Sequence, residues 1–170
     1  LAISSTHVAA EDWRQFRGND SSGVSSESTL PTKFDQPETL RWRVPLPGRG
    51  ASGPIVIGDR VLLTASGGYR DDQLHVLCFS AAFGEQLWSR QFRATGRTVC
   101  HEVVCMATPQ PCSDGKRIYA YFSSNDVACL DLDGNLVWYR GLGLDYPNAS
   151  SSLAMSSSPV VADETLIVQV

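Results

Sequence analysis

The run His101-Glu102-Val103-Val104-Cys105 comes closest to a reactive motif. It follows the His-Glu-x-x-His pattern of zinc proteases until the final ligand, where cysteine stands. That chemistry needs both ligands one helical turn apart, and the surrounding text reads as loop or strand, so no metal centre is expected. Asp131-Leu132-Asp133-Gly134-Asn135 imitates part of a calcium loop but lacks the bidentate glutamate, and it coincides with a hairpin signal. The clusters Ser150-Ser151-Ser152 and Ser156-Ser157-Ser158 have neither a partnered histidine nor a Gly-x-Ser-x-Gly elbow. Asn148-Ala149-Ser150 is a formal glycosylation acceptor, with little force if the source is bacterial. His7, His75 and His101 belong to different elements, and none is assigned as a ligand.

Five cysteines cannot all pair within one chain. Cys78, Cys112 and Cys129 lie in apolar strand-like runs, where a thiol acts as a small buried hydrophobe. Cys100 and Cys105 lie in a connecting stretch. In an oxidising compartment they could close a small loop disulfide, or they could stay as two free thiols.

These residues must be positioned by strands. Pro54, Pro109 and Pro159 each follow a small residue and precede a short strand, an Asp-containing turn and a β-rich strand. They lie 55 and then 50 residues apart. Trp42, Trp88 and Trp138 keep a similar beat, 46 and then 50 residues apart, each in a short apolar/charged alternation. Two landmarks sharing a period mark an internal repeat.

Each period holds four strand candidates. The first set is 52–57, 60–65, 73–79 and 85–92, and the second is 106–112, 117–122, 125–131 and 135–140. Gly58-Asp59, Gly67-Gly68, Phe83-Gly84, Asp114-Gly115, Ser124-Asn125 and Asp133-Gly134 supply the turns. Asp133-Gly134 reads as a hairpin in which both central residues want positive φ. No window of a dozen residues carries a 3.6 period, so helix should be nearly absent. Four antiparallel strands repeated at this spacing predict an all-β fold of β-propeller blades. The expected organisation is an N-terminal arm at 11–37 and a partial propeller at 38–170. Within it lie a closing strand at 38–46, blades at 52–92 and 106–141, and a partial blade at 156–170, about two and a half to three blades in all. An open stack leaves bare strand edges, so the parent protein is expected to be longer. Cys78 and Cys129 fall on equivalent strands of neighbouring sheets about 10 Å apart, too far for a bridge.

The segment Cys78-Phe79-Ser80-Ala81-Ala82-Phe83-Gly84-Glu85-Gln86-Leu87-Trp88 resembles the tryptophan-docking motif of PQQ-like propellers, Ala-x-Asp-x-x-Thr-Gly-x-x-x-Trp. Gly84 and Trp88 are kept, while Cys78, Ser80 and Phe83 replace Ala, Asp and Thr. A second copy, Cys129 to Trp138, keeps Asp131, Gly134 and Trp138 but is one residue shorter at the turn. The opening Asp12-Trp13-Arg14-Gln15-Phe16-Arg17-Gly18 is similar to the start of secreted PQQ-like propeller proteins. The resemblance covers 11–170 and implies a glycine that permits the hairpin and a tryptophan that stacks between blades.

Quinoprotein dehydrogenases of this fold bind PQQ with Ca²⁺, and several carry a disulfide of adjacent cysteines. No adjacent pair occurs here, so no cofactor is expected, and PQQ with Ca²⁺ enters only under the alternative of an oxidoreductase whose ligands lie elsewhere. A third reading is the sensor propeller of a larger signalling protein. The first is a non-enzymatic scaffold binding an unknown protein or small ligand, as outer-membrane assembly lipoproteins of the family do.

The long connections 93–106 and 141–156 both join an outer strand to the next inner strand. They should therefore gather on one face. Arg97, His101, Tyr146 and Asn148 are the candidate binding residues there. With a net charge of −4 and only scattered arginines, nucleic acid is not an expected partner. No apolar run approaches the ~18 residues of a membrane span. Residues 1–10, with small Val8 and Ala10, read as the remnant of a secretory signal or as an arbitrary N-terminus. The first reading implies a periplasmic or secreted protein.

Overall fold

The computed structural model describes residues 11–27, 30–34, 37–149 and 154–170. The proposed signal remnant at 1–10 lies outside them, as do Ser150, Ser151 and Ser152.

Alternating β-branched and aromatic residues between tight turns build two four-stranded antiparallel sheets. The first contains β1 (Ile55–Ile57), β2 (Arg60–Gly67), β3 (Gln73–Ser80) and β4 (Gln86–Arg93), in that order. The second repeats the order with β5 (Cys112–Ser113), β6 (Arg117–Phe122), β7 (Asp126–Asp131) and β8 (Leu136–Gly141). A single helical turn, α1 (Leu142–Asp145), leads towards a hairpin of β9 (Val160–Ala162) and β10 (Thr165–Ile167). The all-β architecture of four-stranded units is thus as the sequence predicts.

The two complete units match in detail. Cys78 pairs with Trp88 and Cys129 with Trp138, and each ladder shifts register immediately after that cysteine. The tryptophan of one unit docks on the hairpin of the next. Trp42 donates its indole N–H to Ala81 O at 2.9 Å, and Trp88 donates to Leu132 O at 3.0 Å. Each indole lies against a hairpin glycine of positive φ, Gly84 at +69° and Gly134 at +80°. A Cβ on either would come within 2.6 Å of the tryptophan ring. Glycine is therefore required both for the left-handed turn and for the close approach.

The core lies between the sheets. Leu74 and Val76 of the first unit meet Ala120, Phe122, Ala128 and Leu130 of the second, and Phe92 stacks on Tyr139 at 5.1 Å between ring centroids. Ile55, Leu62 and Cys78 pack with Ile118 in a second cluster.

Three expectations need correction. Residues 38–46 do not form a strand: Pro37–Thr39 is a turn of 3-10 helix, and the stretch that follows makes no ladder. Pro45 and Pro47 have no N–H to offer, and no adjacent strand is described. Trp42, Val44 and Leu46 nevertheless pack on Ala65, Leu77 and Phe79, so the side chains sit as those of an outer strand would. The strand predicted at 106–112 shrinks to Cys112–Ser113 because Pro109 and Pro111 interrupt it, and side chains satisfy its amides instead: Asp71 takes Met106 N–H and Ser158 takes Gln110 N–H. In the Asp133-Gly134 hairpin only Gly134 has positive φ. Gly134 N–H reaches Asp131 O and Asp131 N–H reaches Asn135 O, which is a three-residue loop closed by a left-handed glycine.

The arm at 12–15 crosses the first strands of all three units. Asp12 accepts from Gly58 N–H at 2.7 Å, and Trp13 exchanges both backbone bonds with Val56. Arg14 O accepts from Ser113 N–H at 2.8 Å, and Gln15 Oε1 accepts from Val161 N–H at 3.1 Å. Gln15 is buried and also donates to Asn19 O and Ser21 Oγ. Gln15→Ala is expected to lower the unfolding free energy by about 1–2 kcal/mol. It should also speed amide exchange at Val161, measurable by denaturant titration and hydrogen-exchange NMR.

Candidate functional site: the loop face

The first strands run from a loop-bearing end to the end crossed by the arm. At the loop end, the connection after β4 folds against the β6–β7 turn. Asp126, wholly buried, accepts hydrogen bonds from Thr95 N–H at 3.0 Å, Thr95 Oγ1 at 2.6 Å and Ser124 Oγ at 2.6 Å. Its neighbour Asn125 holds the left-handed turn position at φ +63°. Asn125 O accepts from Leu142 N–H, its Nδ2 donates to Ala149 O, and its Oδ1 accepts from Tyr121 OH at 2.6 Å. One turn therefore anchors both long connections. They also touch each other, since a Cβ on Gly143 would lie 3.9 Å from the Cα of Gly96. Burial and the charge of Asp126 raise the pKa of Tyr121 and Tyr139, keeping both phenols protonated beside the carboxylate.

Arg97 and Asn148 are exposed, and their side chains make no hydrogen bond or ion pair among the described residues. His101 is exposed in a local turn, where its Nδ1 accepts from Val103 N–H and its backbone O from Val104 N–H. Tyr146 departs from the expected grouping. Helical turn α1 carries it round to a cavity of about 320 Å³ on the flank of the second sheet, with Val127, Trp138, Leu142 and Leu166. No side-chain hydrogen bond joins any of the four candidates. Asp126 and Asn125, which organise the face, were not singled out from the sequence. Asp126 stands where His75 stands in the first unit, and no sequence motif marks it.

Cys78, Cys100, Cys105, Cys112 and Cys129 are free thiols, so the bridge that the spacing of Cys100 and Cys105 allows is not formed. Cys105 is buried, while Cys100 is partly exposed, with Sγ 3.6 Å from Val104 O. Burial pushes Cys112 up to about 12 and Cys78 and Cys129 up to about 11. Alkylation of the native protein should modify Cys100 at least about tenfold faster than any other cysteine, as mass spectrometry of a maleimide time course would report.

His75 is buried with Nε2 unpartnered, and desolvation lowers its pKa, so the ring is neutral. Among the described residues no three side chains of His, Cys, Asp or Glu come together as a group that could hold a metal ion. No described helix is long and apolar enough to cross a membrane.

The family model described as outer membrane protein assembly factor BamB matches residues 14–170. The chain belongs to this family of PQQ-like propellers. No curated protein sequence matches it. Among solved structures, BamB from Moraxella catarrhalis is 20% identical, with a TM-score of 0.49 over 74% of this chain and 32% of that one. Quinohemoprotein alcohol dehydrogenase from Comamonas testosteroni is 18% identical, with a TM-score of 0.50 over 70% of this chain and 17% of that one. A europium-containing methanol dehydrogenase is 15% identical, with a TM-score of 0.40 over 67% and 19%. The chain thus spans about a third of the solved BamB and about a sixth of the alcohol dehydrogenase. At such identities the likeness concerns the fold alone.

Proposed function

We propose that the chain is part of an extracytoplasmic propeller that holds a partner protein on its loop-bearing face and does not itself catalyse a reaction. The observation carrying this reading is the anchoring of both long connections to the Asn125-Asp126 turn, which presents Arg97 and Asn148 to solvent on a fixed frame. Surface loops on a rigid scaffold are where recognition is commonly placed. The family's description as an assembly factor agrees with it.

The test places a photoreactive amino acid at Arg97 or Asn148, and for comparison at Asp59 or Asp133 on the opposite rim, in the intact protein exported by its own cell. A discrete crosslinked adduct from the loop positions alone is expected. Adducts of equal yield from both rims, or none from the loop positions, would contradict the reading.

A further inference from the structure

Three arginines near the loop end, Arg49, Arg70 and Arg97, have no carboxylate partner among the described residues. Two acids near them have partners of their own. Asp71 Oδ2 accepts from Met106 N–H at 3.2 Å, and Asp72 pairs with Arg93 at 2.8 Å. The Gly68–Asp71 turn is closed by Asp71 N–H on Gly68 O, with left-handed φ at Gly68 (+84°) and Asp71 (+58°). That conformation is strained for aspartate, and it persists because the Met106 contact holds it.

The turn projects Tyr69, 100% exposed, and the exposed Arg70. Between them, Asp71, Arg49 and the stretch Thr98–Cys100 lies a cleft of about 630 Å³. Arg49 spends one guanidinium N–H on Glu102 O, a neutral acceptor, and keeps its charge.

We infer that this cleft receives a carboxylate-bearing, acidic segment of the partner protein. The inference rests on the reading of the loop face as a docking surface. Guanidinium forks match carboxylates with two parallel hydrogen bonds, and an exposed tyrosine beside an arginine is the composition of an interface hot spot. With Arg49 and Arg70 against Asp71, the cleft keeps an excess of positive charge in a chain of net charge −4, which points to charge complementarity with an acidic partner. An anionic bilayer is the poorer match. The site is concave, and its two arginines, Arg49 and Arg70, fall short of the cluster of about four to eight basic residues typical of lipid-surface binding.

The experiment titrates a glutamate-rich peptide, its glutamine counterpart and phosphatidylserine-containing vesicles into the intact protein at low salt. Arg49→Ala, Tyr69→Ala and Arg70→Ala are compared with the unchanged chain. Binding of the glutamate peptide alone is expected, weakened about tenfold by each arginine substitution. The bound peptide should also slow alkylation of Cys100, whose residue lines the same cleft. Equal binding of the glutamine peptide, arginine variants as tight as the unchanged protein, or binding of vesicles without the peptide would each overturn it. Should crosslinking from Arg97 and Asn148 persist in a protein lacking Arg49 and Arg70, the docking face stands and the cleft assignment alone falls.

Discussion

Gly134→Ala is expected to destabilise the protein by about 3 kcal/mol, and Gly58→Ala by only about 1 kcal/mol. Both glycines hold positive φ, +80° and +56°, so both substitutions carry the backbone penalty. They differ in what a methyl group would meet. At Gly58 nothing lies within 4 Å, whereas at Gly134 the new Cβ would sit 2.6 Å from Trp88 Cδ2. To make room the indole must move, and with it go its hydrogen bond to Leu132 O and the bond from Arg90 Nε to Gly134 O at 2.6 Å. The difference of about 2 kcal/mol between the two variants measures the docking of one blade on the next. Denaturant titration followed by tryptophan fluorescence provides both numbers. Equal losses would mean that the tryptophan does not depend on the glycine.

Asp126→Ala is expected to lower stability by about 2–3 kcal/mol, because the buried Ser124 hydroxyl loses its acceptor and Thr95 loses both bonds that tie it to the second unit. Thr95 N–H cannot turn away, while the hydroxyls of Thr95 and Ser124 can rotate once the carboxylate is gone. Asp126→Asn should cost about 1–2 kcal/mol, since one carbonyl oxygen still serves the backbone amide. The functional effect should exceed the thermodynamic one. With the Thr95 anchor gone, residues 94–106 should become the first site of limited proteolysis, and crosslinking from Arg97 should fall several-fold even where the sheets remain folded. Unchanged proteolysis and crosslinking in Asp126→Ala would show that the face is organised by something else.

Much of the architecture was legible because its signals are local. Strand alternation, turn glycines and the Trp–Gly spacing each depend on a few neighbouring residues, and they located β2, β3, β4, β6, β7 and β8 to within a residue or two. What escaped depends on partners distant in sequence. The stretch 38–46 alternates like a strand, yet ladder bonds need a neighbour, and only its side chains Trp42, Val44 and Leu46 take the places of an outer strand. Tyr146 is grouped with Arg97 because both lie on connections from an outer strand to the next inner strand, and one helical turn redirects it to the flank. Asp126 carries no motif, because a single aspartate opening a strand is common. Its role emerges only when Thr95, 31 residues away, folds back on it. Likewise Arg49 and Arg70 belong to separate elements, and the cleft between them exists only in three dimensions.

The repeat itself is most directly examined by NMR of the tryptophan indoles. Trp42 and Trp88 should show slowly exchanging indole N–H protons, with nuclear Overhauser contacts from Trp42 to Gly84 and from Trp88 to Gly134. Rapid exchange at both, or contacts from the two rings to dissimilar surroundings, would contradict the stacking of equivalent blades on which the rest is built.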